Sequence, residues 1–306
     1  MSRLQAQTGW RRTPRLRDCI VNLHRLTHPN PFAREDGEIL LEQKLCFSPK
    51  EAIYDMALPA SVSGKQSVLA FSIWKAGSTL LFEILRAMCR SVELVYFSPD
   101  DTLFEDGTDY RPWNIGRIFL DIGYCYGGFR IFPLYPVPLL GTARTILLVR
   151  DPRDILVSLY FSVRDSHTLP PANSRLAERL IDHREFTKSQ SIDDWVLENH
   201  GLIMAAFEGY LMKDIHRRDN AIIYRYEDII FRKRQWIADI ADWYGWDLAE
   251  ETIDQISTSF DVVPEQEQPD QHIRQVHPGN FKRHLSPATQ SRIEGIFRQY
   301  LETFGY

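Results

Sequence analysis

The chain has 306 residues, of which 44% are hydrophobic and 12% aromatic, enough to bury the core of one large domain. Its net charge is −5, although residues 1–17 carry five arginines and no acid. The body of the chain is therefore acidic, which argues against nucleic acid as a partner. No run approaches the ~20 consecutive apolar residues of a membrane span.

The N-terminus lacks the apolar stretch of a signal peptide, so we expect a cytoplasmic protein. The four cysteines lie far apart and form no C-x-x-C pair, which argues against a disulfide framework and a zinc knuckle. Histidine, cysteine and carboxylate residues are not clustered at ligand spacing, and the sequence therefore implies no metal.

Residues 1–66 contain five prolines and show no clean hydrophobic period. We predict irregular wrapping structure with short helices for this segment. Residues 67–306 then hold the binding and catalytic core, within a single domain that covers 1–306.

A strand, a loop and a helix follow the N-terminal segment. The apolar run Val68 to Phe71 ends in a short turn, after which a helical period begins. Backbone N–H groups at a helix start are unpaired and lie at the positive end of the helix dipole, so they attract anions. The predicted anion-binding residues are Lys75, Ala76, Gly77, Ser78 and Thr79. An ordinary β–α turn is an equal alternative, and the order of lysine and glycine differs from that of a Walker A loop.

A second strand, at residues 92–97, is followed by an acidic stretch. Its members are Asp100, Asp101, Glu105, Asp106 and Asp109. Ligands collect at the carboxyl ends of strands in parallel sheets, so we expect this stretch to lie as a loop near the anion site. An ordinary solvated loop is the alternative.

The apolar run at residues 145–149 is typical of a central parallel strand. Arg150 ends it, and Ser158 follows about two helical turns into the next helix. A guanidinium and a hydroxyl at that spacing can bind a second phosphate. Alternatively, Arg150 pairs with Asp151 or Asp154. Further helical and strand periods alternate to the end of the chain, and residues 163–190 could form a flap. The pattern predicts an α/β fold with a central parallel sheet flanked by helices.

Two of these stretches resemble motifs of one enzyme family. The loop Trp74-Lys75-Ala76-Gly77-Ser78-Thr79-Leu80 is similar to the 5'-phosphosulfate loop P-K-S-G-T-T-W of sulfotransferases that use 3'-phosphoadenosine 5'-phosphosulfate (PAPS). The run from Arg150 to Tyr160 resembles the 3'-phosphate motif R-x-P-[KR]-D-x-x-V-S-x-Y of that family. The resemblance implies PAPS as the donor and adenosine 3',5'-bisphosphate as the product.

Three weaker matches follow in the family's order. Tyr226 begins a Y-E-D segment and Thr258 a T-S-F segment, and the resemblance places both side chains near the adenine. Arg274 lies in a late loop whose family arginine binds the 3'-phosphate.

The departures from the family pattern concern both the nucleotide and the base. Leu80 replaces the tryptophan that stacks on adenine, and Gln275 and Val276 replace Lys-Gly. The histidine of the small-molecule branch is absent between residues 130 and 138. Other branches use a carboxylate base, and Asp100 is the nearest candidate, with Asp101 and Glu105 close behind. His167 and His277 are alternatives.

The resemblance predicts an enzyme that transfers a sulfuryl group, with Lys75 and Asp100 as its catalytic residues, to a hydroxyl or amino group of a small-molecule acceptor. The acidic stretch, with Asp101 and Glu105 as substrate residues, suits a cationic specialised metabolite such as a guanidinium alkaloid of the saxitoxin class. A neutral alcohol, phenol or lipid is the alternative, with Trp113, Phe129, Phe132 and Tyr135 as lining or as ordinary core. Two other readings stay open, an inactive nucleotide-binding module and a kinase-like phosphotransferase. Oligomeric state cannot be read from the sequence.

Overall fold

A five-stranded parallel sheet forms the centre of the protein, as seen in a computed structural model of the chain. The structure describes residues 42–47, 54–105, 118–133, 135–166, 175–262 and 275–306. In chain order the strands are β1 (Glu42–Phe47), β2 (Tyr54–Pro59), β3 (Val68–Ser72), β4 (Val95–Phe97), β5 (Tyr124–Phe129), β6 (Thr145–Val149) and β7 (Ala221–Arg225). The sheet order is β4-β5-β3-β6-β7, while β1 and β2 pair separately as an antiparallel hairpin.

Helices cover both faces of the sheet. In chain order they are α1 (Ser78–Ser91), α2 (Pro99–Glu105), α3 (Pro152–Phe161), α4 (Arg175–Ser189), α5 (Ile192–Leu211), α6 (Tyr226–Ile229), α7 (Lys233–Tyr244), α8 (Glu250–Phe260), α9 (Phe281–His284) and α10 (Pro287–Phe304). Short 3₁₀ turns lie at Pro138–Gly141 and Ile215–Arg217, and a π-helical turn at Ser162–Ser166 continues α3.

The central strands bury both of their faces. Leu69 and Phe71 of β3 pack with α3, α5 and α10, whereas Val68 and Ala70 pack with α1, α7 and α8. Side chains alternate between the two faces of a strand, so a strand covered on both sides must be apolar throughout. The α/β class and the single domain with a parallel sheet flanked by helices are confirmed, while the extent of that domain over 1–306 stays a prediction.

The helix starts differ in how they are capped. Asp151, Ser191 and Ser286 each accept a hydrogen bond from a backbone N–H in the first turn of α3, α5 and α10. α1 instead begins after Gly77, and no side chain caps it. Its first N–H groups are therefore available to a ligand.

Several predicted elements differ in detail from the structure. Residues 99–105, which include the first part of the acidic stretch predicted as a loop, are helical, because the Ser98 hydroxyl accepts from the backbone N–H of Asp101 and Pro99 starts α2. Within the segment predicted to be irregular, β1 and β2 form a hairpin. α4 occupies much of the predicted flap. Among the described residues, no helix is both long and apolar enough to cross a membrane.

Candidate functional site

The turn between β3 and α1 brings the predicted anion-binding residues to the carboxyl edge of the sheet. Its backbone is held by the Trp74 N–H, which donates to the Arg130 carbonyl at 3.2 Å, and by the Ala76 N–H, which donates to the Ile73 carbonyl at 3.1 Å. Lys75 has a positive φ of 61°. Ser78, which is buried, and Thr79, which is partly exposed, form the first turn of α1.

Gly77 is required in this turn for two reasons. Its φ of 88° lies in the left-handed region that side chains rarely adopt. A Cβ atom added here would lie 2.9 Å from Cδ2 of the Tyr226 ring. The loop therefore packs directly against a residue that the sequence assigned to the nucleotide site.

Arg150 follows β6 and reaches the same turn, because β6 is the neighbour of β3 in the sheet. Its Nη1 donates to the Lys75 carbonyl at 3.1 Å, and its guanidinium lies 4.3 Å from the Tyr226 ring centroid. Arg150 is 5% exposed. The structure thus brings together Lys75, Gly77, Arg150 and Tyr226, and their roles in nucleotide binding stay predictions.

The sequence left open whether Arg150 pairs with Asp151 or with Asp154, and the structure shows the pair with Asp154. Arg150 Nη2 lies 3.5 Å from Asp154 Oδ2, while Asp151 binds Arg153 through its two carboxylate oxygens. Arg150 keeps its Nε buried, and within the described part of the chain this atom has no hydrogen-bond partner. A buried donor without a partner costs free energy, so this atom suits a ligand oxygen.

Asp154 anchors the late loop around this arginine. Its carboxylate, only 1% exposed, accepts from the backbone N–H groups of Gly279 at 2.7 Å and Phe281 at 2.9 Å. On the other side of Arg150, the Tyr226 hydroxyl donates to the Val276 carbonyl at 2.9 Å. Burial raises the pKa of Tyr226 to about 12, so this hydroxyl stays protonated and the contact persists at neutral pH.

The late loop carries further donors of the same kind. Gln275 Nε2 and Asn280 Nδ2 are buried and have no hydrogen-bond partner in the described residues. Together with Arg150 Nε they are N–H donors, which match a ligand rich in acceptor oxygens. The residues present therefore fit a phosphate-bearing group.

Other predicted nucleotide residues lie on neighbouring elements. Ser158 is partly exposed on α3, and Thr258 is exposed near the end of α8. Arg274 lies outside the described residues. The roles of all three stay predictions.

Asp100 lies in the first turn of α2, partly exposed, with its Oδ1 accepting a 2.6 Å hydrogen bond from the Tyr135 hydroxyl. Burial raises the pKa of its carboxyl to about 7, and the neighbouring Asp101 adds to the rise. The Tyr135 hydrogen bond and the charge of Arg130 act in the opposite direction. A carboxyl with a pKa near 7 has the strength that a general base needs at neutral pH.

Asp101 forms an ion pair with Arg130. Arg130 Nη1 lies 3.2 Å from its Oδ1 and also donates to the Gly128 carbonyl at 3.3 Å. This ion pair neutralises part of the negative charge on which the prediction of a cationic acceptor was based. Glu105 ends α2, and Asp106 and Asp109 lie outside the described residues.

Arg130 contacts both α2, through the ion pair with Asp101, and the anion-binding turn. The Arg130 carbonyl holds the Trp74 N–H, and the Tyr210 hydroxyl donates to the Ser72 carbonyl at 2.6 Å, where β3 ends. Burial and, second, the charge of Asp100 raise the pKa of Tyr210. Through Arg130, the helix that carries the predicted base is connected to the predicted phosphate-binding turn.

Sequence reasoning missed the side chains that organise this neighbourhood. Arg130 carried no motif, Tyr135 was considered only as lining or core, and Asp154 only as an ion-pair partner of Arg150. The two acids of the segment R-D-P-R-D, which starts at Arg150, could have indicated a role for Asp154. The contacts of Arg130 and Tyr135, in contrast, depend on the tertiary structure. Phe129, Phe132 and Tyr135 are buried in the core, as one alternative held, and Trp113 lies outside the described residues.

Of the two alternative bases, the structure describes only His277, and no observed contact joins its side chain to Asp100 or Tyr135. His277 is exposed and its ring packs 5.1 Å from that of Phe231, while His167 lies outside the described residues. Among the residues that the structure describes, no three histidine, cysteine or carboxylate side chains lie close enough to hold a metal ion.

Comparisons with known proteins identify the family. The family model described as the sulfotransferase domain matches residues 132–305. Comparison with curated proteins gave no match. Among solved structures, mouse sulfotransferase SULT7A1 complexed with PAP is 16% identical, with a TM-score of 0.55 over 77% of this chain and 84% of that chain.

Two further structures are similar at lower scores. Retinol dehydratase in a complex with retinol and PAP is 16% identical, with a TM-score of 0.48 over 86% of this chain and 91% of that chain. A sulfotransferase from Alicyclobacillus acidocaldarius is 16% identical, with a TM-score of 0.39 over 79% and 94%. The mouse structure supports the fold, and the family model spans more than half of the chain. The prediction made from the motifs is confirmed, and the chain belongs to the sulfotransferase domain family, whose members are sulfuryl-transferring enzymes.

Proposed function

We propose that this protein transfers a sulfuryl group from PAPS to a hydroxyl or amino group of a small-molecule acceptor and releases adenosine 3',5'-bisphosphate. The observation that carries the proposal is the buried Arg150, whose Nε lacks a partner in the described residues, beside the uncapped start of α1. The mouse sulfotransferase of similar fold was solved with PAP, which supports the same nucleotide here.

We assign the phosphosulfate end of the donor to Lys75, Ala76, Gly77, Ser78 and Thr79. Their backbone N–H groups, hydroxyls and ammonium supply positive charge where the leaving phosphate gains negative charge. The 3'-phosphate is assigned to Arg150, Ser158 and Arg274, and the adenine to Tyr226 and Thr258. Because the Tyr226 hydroxyl is already donated to Val276, this side chain offers its ring rather than its hydroxyl.

Asp100 is the proposed general base. PAPS supplies an activated sulfuryl group. The acceptor oxygen or nitrogen forms a bond to sulfur, the bond from sulfur to the phosphate oxygen breaks, and the acceptor proton passes to the Asp100 carboxylate. The pKa of about 7 lets this carboxylate be ionised before transfer and hold the proton afterwards.

For the acceptor we keep the cationic metabolite of the guanidinium alkaloid type as a proposal, with Asp101 and Glu105 beside Asp100. The Asp101–Arg130 ion pair reduces the net negative charge there, so a neutral alcohol or phenol is the competing class. The test measures KM for cationic and for neutral acceptors in the wild type and in Asp101→Asn. An unchanged KM for cationic acceptors in the variant contradicts the assignment of Asp101 as a substrate residue. We further propose a cytoplasmic protein without a nucleic-acid partner.

Calorimetric titration with adenosine 3',5'-bisphosphate, and separately with ATP and Mg²⁺, tests the nucleotide site. Arg150→Gln follows β6 and Arg144→Gln precedes the same strand, so the two variants make the same charge change at opposite edges of the sheet. We expect Arg150→Gln to weaken bisphosphate binding at least tenfold and Arg144→Gln to leave it unchanged.

The other outcomes correspond to the two remaining readings. Preferred binding of ATP with Mg²⁺ contradicts sulfuryl transfer and supports a kinase-like phosphotransferase. Tight bisphosphate binding without transfer of ³⁵S-labelled sulfate to any acceptor of a broad panel supports an inactive nucleotide-binding module.

A further inference from the structure

We infer that Tyr135 is a positioning residue for Asp100. Its hydroxyl donates a hydrogen bond to Oδ1 of the carboxylate, which leaves Oδ2 to take the acceptor proton. The inference rests on the proposed function insofar as Asp100 is the base. It concerns a side chain that no motif of the chain singles out.

The geometry of the pair supports a fixed orientation. The Tyr135 hydroxyl and Asp100 Oδ1 are 2.6 Å apart, a short distance typical of a hydrogen bond to an ionised acceptor. Tyr135 is 3% exposed, and its ring lies 6.4 Å from that of Phe119 in the core. A buried ring of this kind has little rotational freedom, so it can hold one carboxylate oxygen in place.

Two other polar side chains whose charge or burial is linked to that of Asp100 have partners of their own. Tyr210 on α5 donates its hydroxyl to the Ser72 carbonyl, and Arg130 at the end of β5 pairs with Asp101 on the same helix as Asp100. Asp101 disfavours the ionised form of Asp100 and Arg130 favours it. In the described part of the chain, Tyr135 is thus the hydroxyl with an observed hydrogen bond to this carboxylate.

A neutral donor suits this position better than a cation. An arginine or lysine beside Asp100 would stabilise the carboxylate strongly and make it a weak base. A tyrosine hydroxyl orients the carboxylate while burial keeps its proton affinity high. This arrangement also predicts how the proton affinity changes when the hydroxyl is removed.

The experiment is a pH titration of aspartate carboxyl carbons by ¹³C NMR in labelled protein, with the Asp100 signal assigned by its loss in Asp100→Asn. In the wild type we expect a midpoint near pH 7. Tyr135→Phe keeps the ring and removes the hydroxyl, so the midpoint should rise by roughly one pH unit. Tyr300→Phe is the matched control, because that tyrosine also donates to a carboxylate, that of Glu208 at 3.2 Å.

An Asp100 midpoint that is the same in Tyr135→Phe and wild type overturns the inference, as does an equal shift in Tyr300→Phe. A site-specific 3-fluorotyrosine at position 135 is a second variant: its more acidic hydroxyl should lower the midpoint. In assays of transfer, the acidic limb of kcat/KM should move with the NMR midpoint while the donor KM stays constant. A shifted midpoint without any transfer contradicts the proposed function and leaves the Tyr135–Asp100 interaction established.

Discussion

The site has two ends, one around the buried Arg150 and one around the partly exposed Asp100, and they hold their charged side chains in different ways. Around Arg150, an aromatic ring, a carboxylate and a backbone carbonyl surround a cation. Around Asp100, a tyrosine hydroxyl contacts the carboxylate, and the next residue is a second acid, itself paired with Arg130. The first end compensates its charge within the protein, whereas the second leaves a carboxylate whose proton affinity is raised by burial.

Because of this difference, we expect donor binding and sulfuryl transfer to depend differently on pH. A guanidinium stays protonated at every physiological pH, so contacts to donor phosphates should not depend on pH near neutrality. A carboxyl with a pKa of about 7 changes its charge in that range. We therefore expect a site whose donor affinity is constant while its turnover titrates.

Replacing Asp100, the proposed base, gives the largest expected effect on turnover. Asp100→Asn keeps the shape and an acceptor for the Tyr135 hydroxyl but cannot take a proton. We expect a loss of kcat of roughly 10²- to 10⁴-fold with unchanged calorimetric affinity for adenosine 3',5'-bisphosphate. Asp121→Asn, an exposed acid before β5, is the control. Full activity of Asp100→Asn would assign the base elsewhere.

Lys75→Gln removes the charge from the anion-binding turn. We expect kcat to fall by roughly 10²- to 10³-fold, because the leaving phosphate loses a cationic partner. The pH midpoint of the residual activity should not change, since Asp100 is untouched. Steady-state kinetics of this variant and of the exposed Lys65→Gln measure both quantities, and a shifted midpoint contradicts the separation of the two ends.

Gly77→Ala perturbs the turn through its backbone. The positive φ and the 2.9 Å approach to Tyr226 both oppose a Cβ atom, so we expect a loss of stability of about 1–3 kcal/mol and weaker bisphosphate binding. Gly245→Ala is the matched control, since that residue has a φ of 71° at the end of α7. Denaturant unfolding and calorimetry compare them. Equal bisphosphate affinities in the two variants count against a role for Gly77 in nucleotide binding.

The pH profile itself sharpens the comparison. Below pH 7 Asp100 is protonated, so kcat/KM for the acceptor should fall about tenfold per pH unit towards acid. The dissociation constant of the bisphosphate should stay within a factor of about two between pH 6.5 and 8, where its phosphates are mostly ionised. A kcat/KM that does not change with pH across this range contradicts the assignment of Asp100 as the general base.

The smallest effect concerns stability. The carboxyl of Asp100 titrates at 3.8 in its ordinary state and at about 7 in the folded protein, so the folded state binds the proton more tightly. Stability from this group is complete below pH 4 and is lost as pH rises to 7. Asp100→Asn should therefore be more stable than wild type at pH 8 and similar to it at pH 4. Denaturant unfolding at both pH values measures this difference.

The local features of the fold were readable in the sequence. The apolar runs of β3 and β6 identified the central strands because a strand buried on both faces cannot include polar residues. Gly77 and its neighbours in the sequence identified the anion-binding turn between β3 and α1. The hairpin of β1 and β2 was missed because its period is short, and α2 was missed because its capping Ser98 resembled a turn.

The sequence by itself therefore determined the central strands, the anion-binding turn and the motif arginine that follows β6. Only the tertiary structure decided how these parts meet. Asp154 reaches Gly279 across 125 residues, and Tyr135 reaches Asp100 across 35. The proton affinity of Asp100 is likewise a product of folding. Desolvation and hydrogen bonding depend on which distant elements pack around a side chain, and no local pattern specifies that.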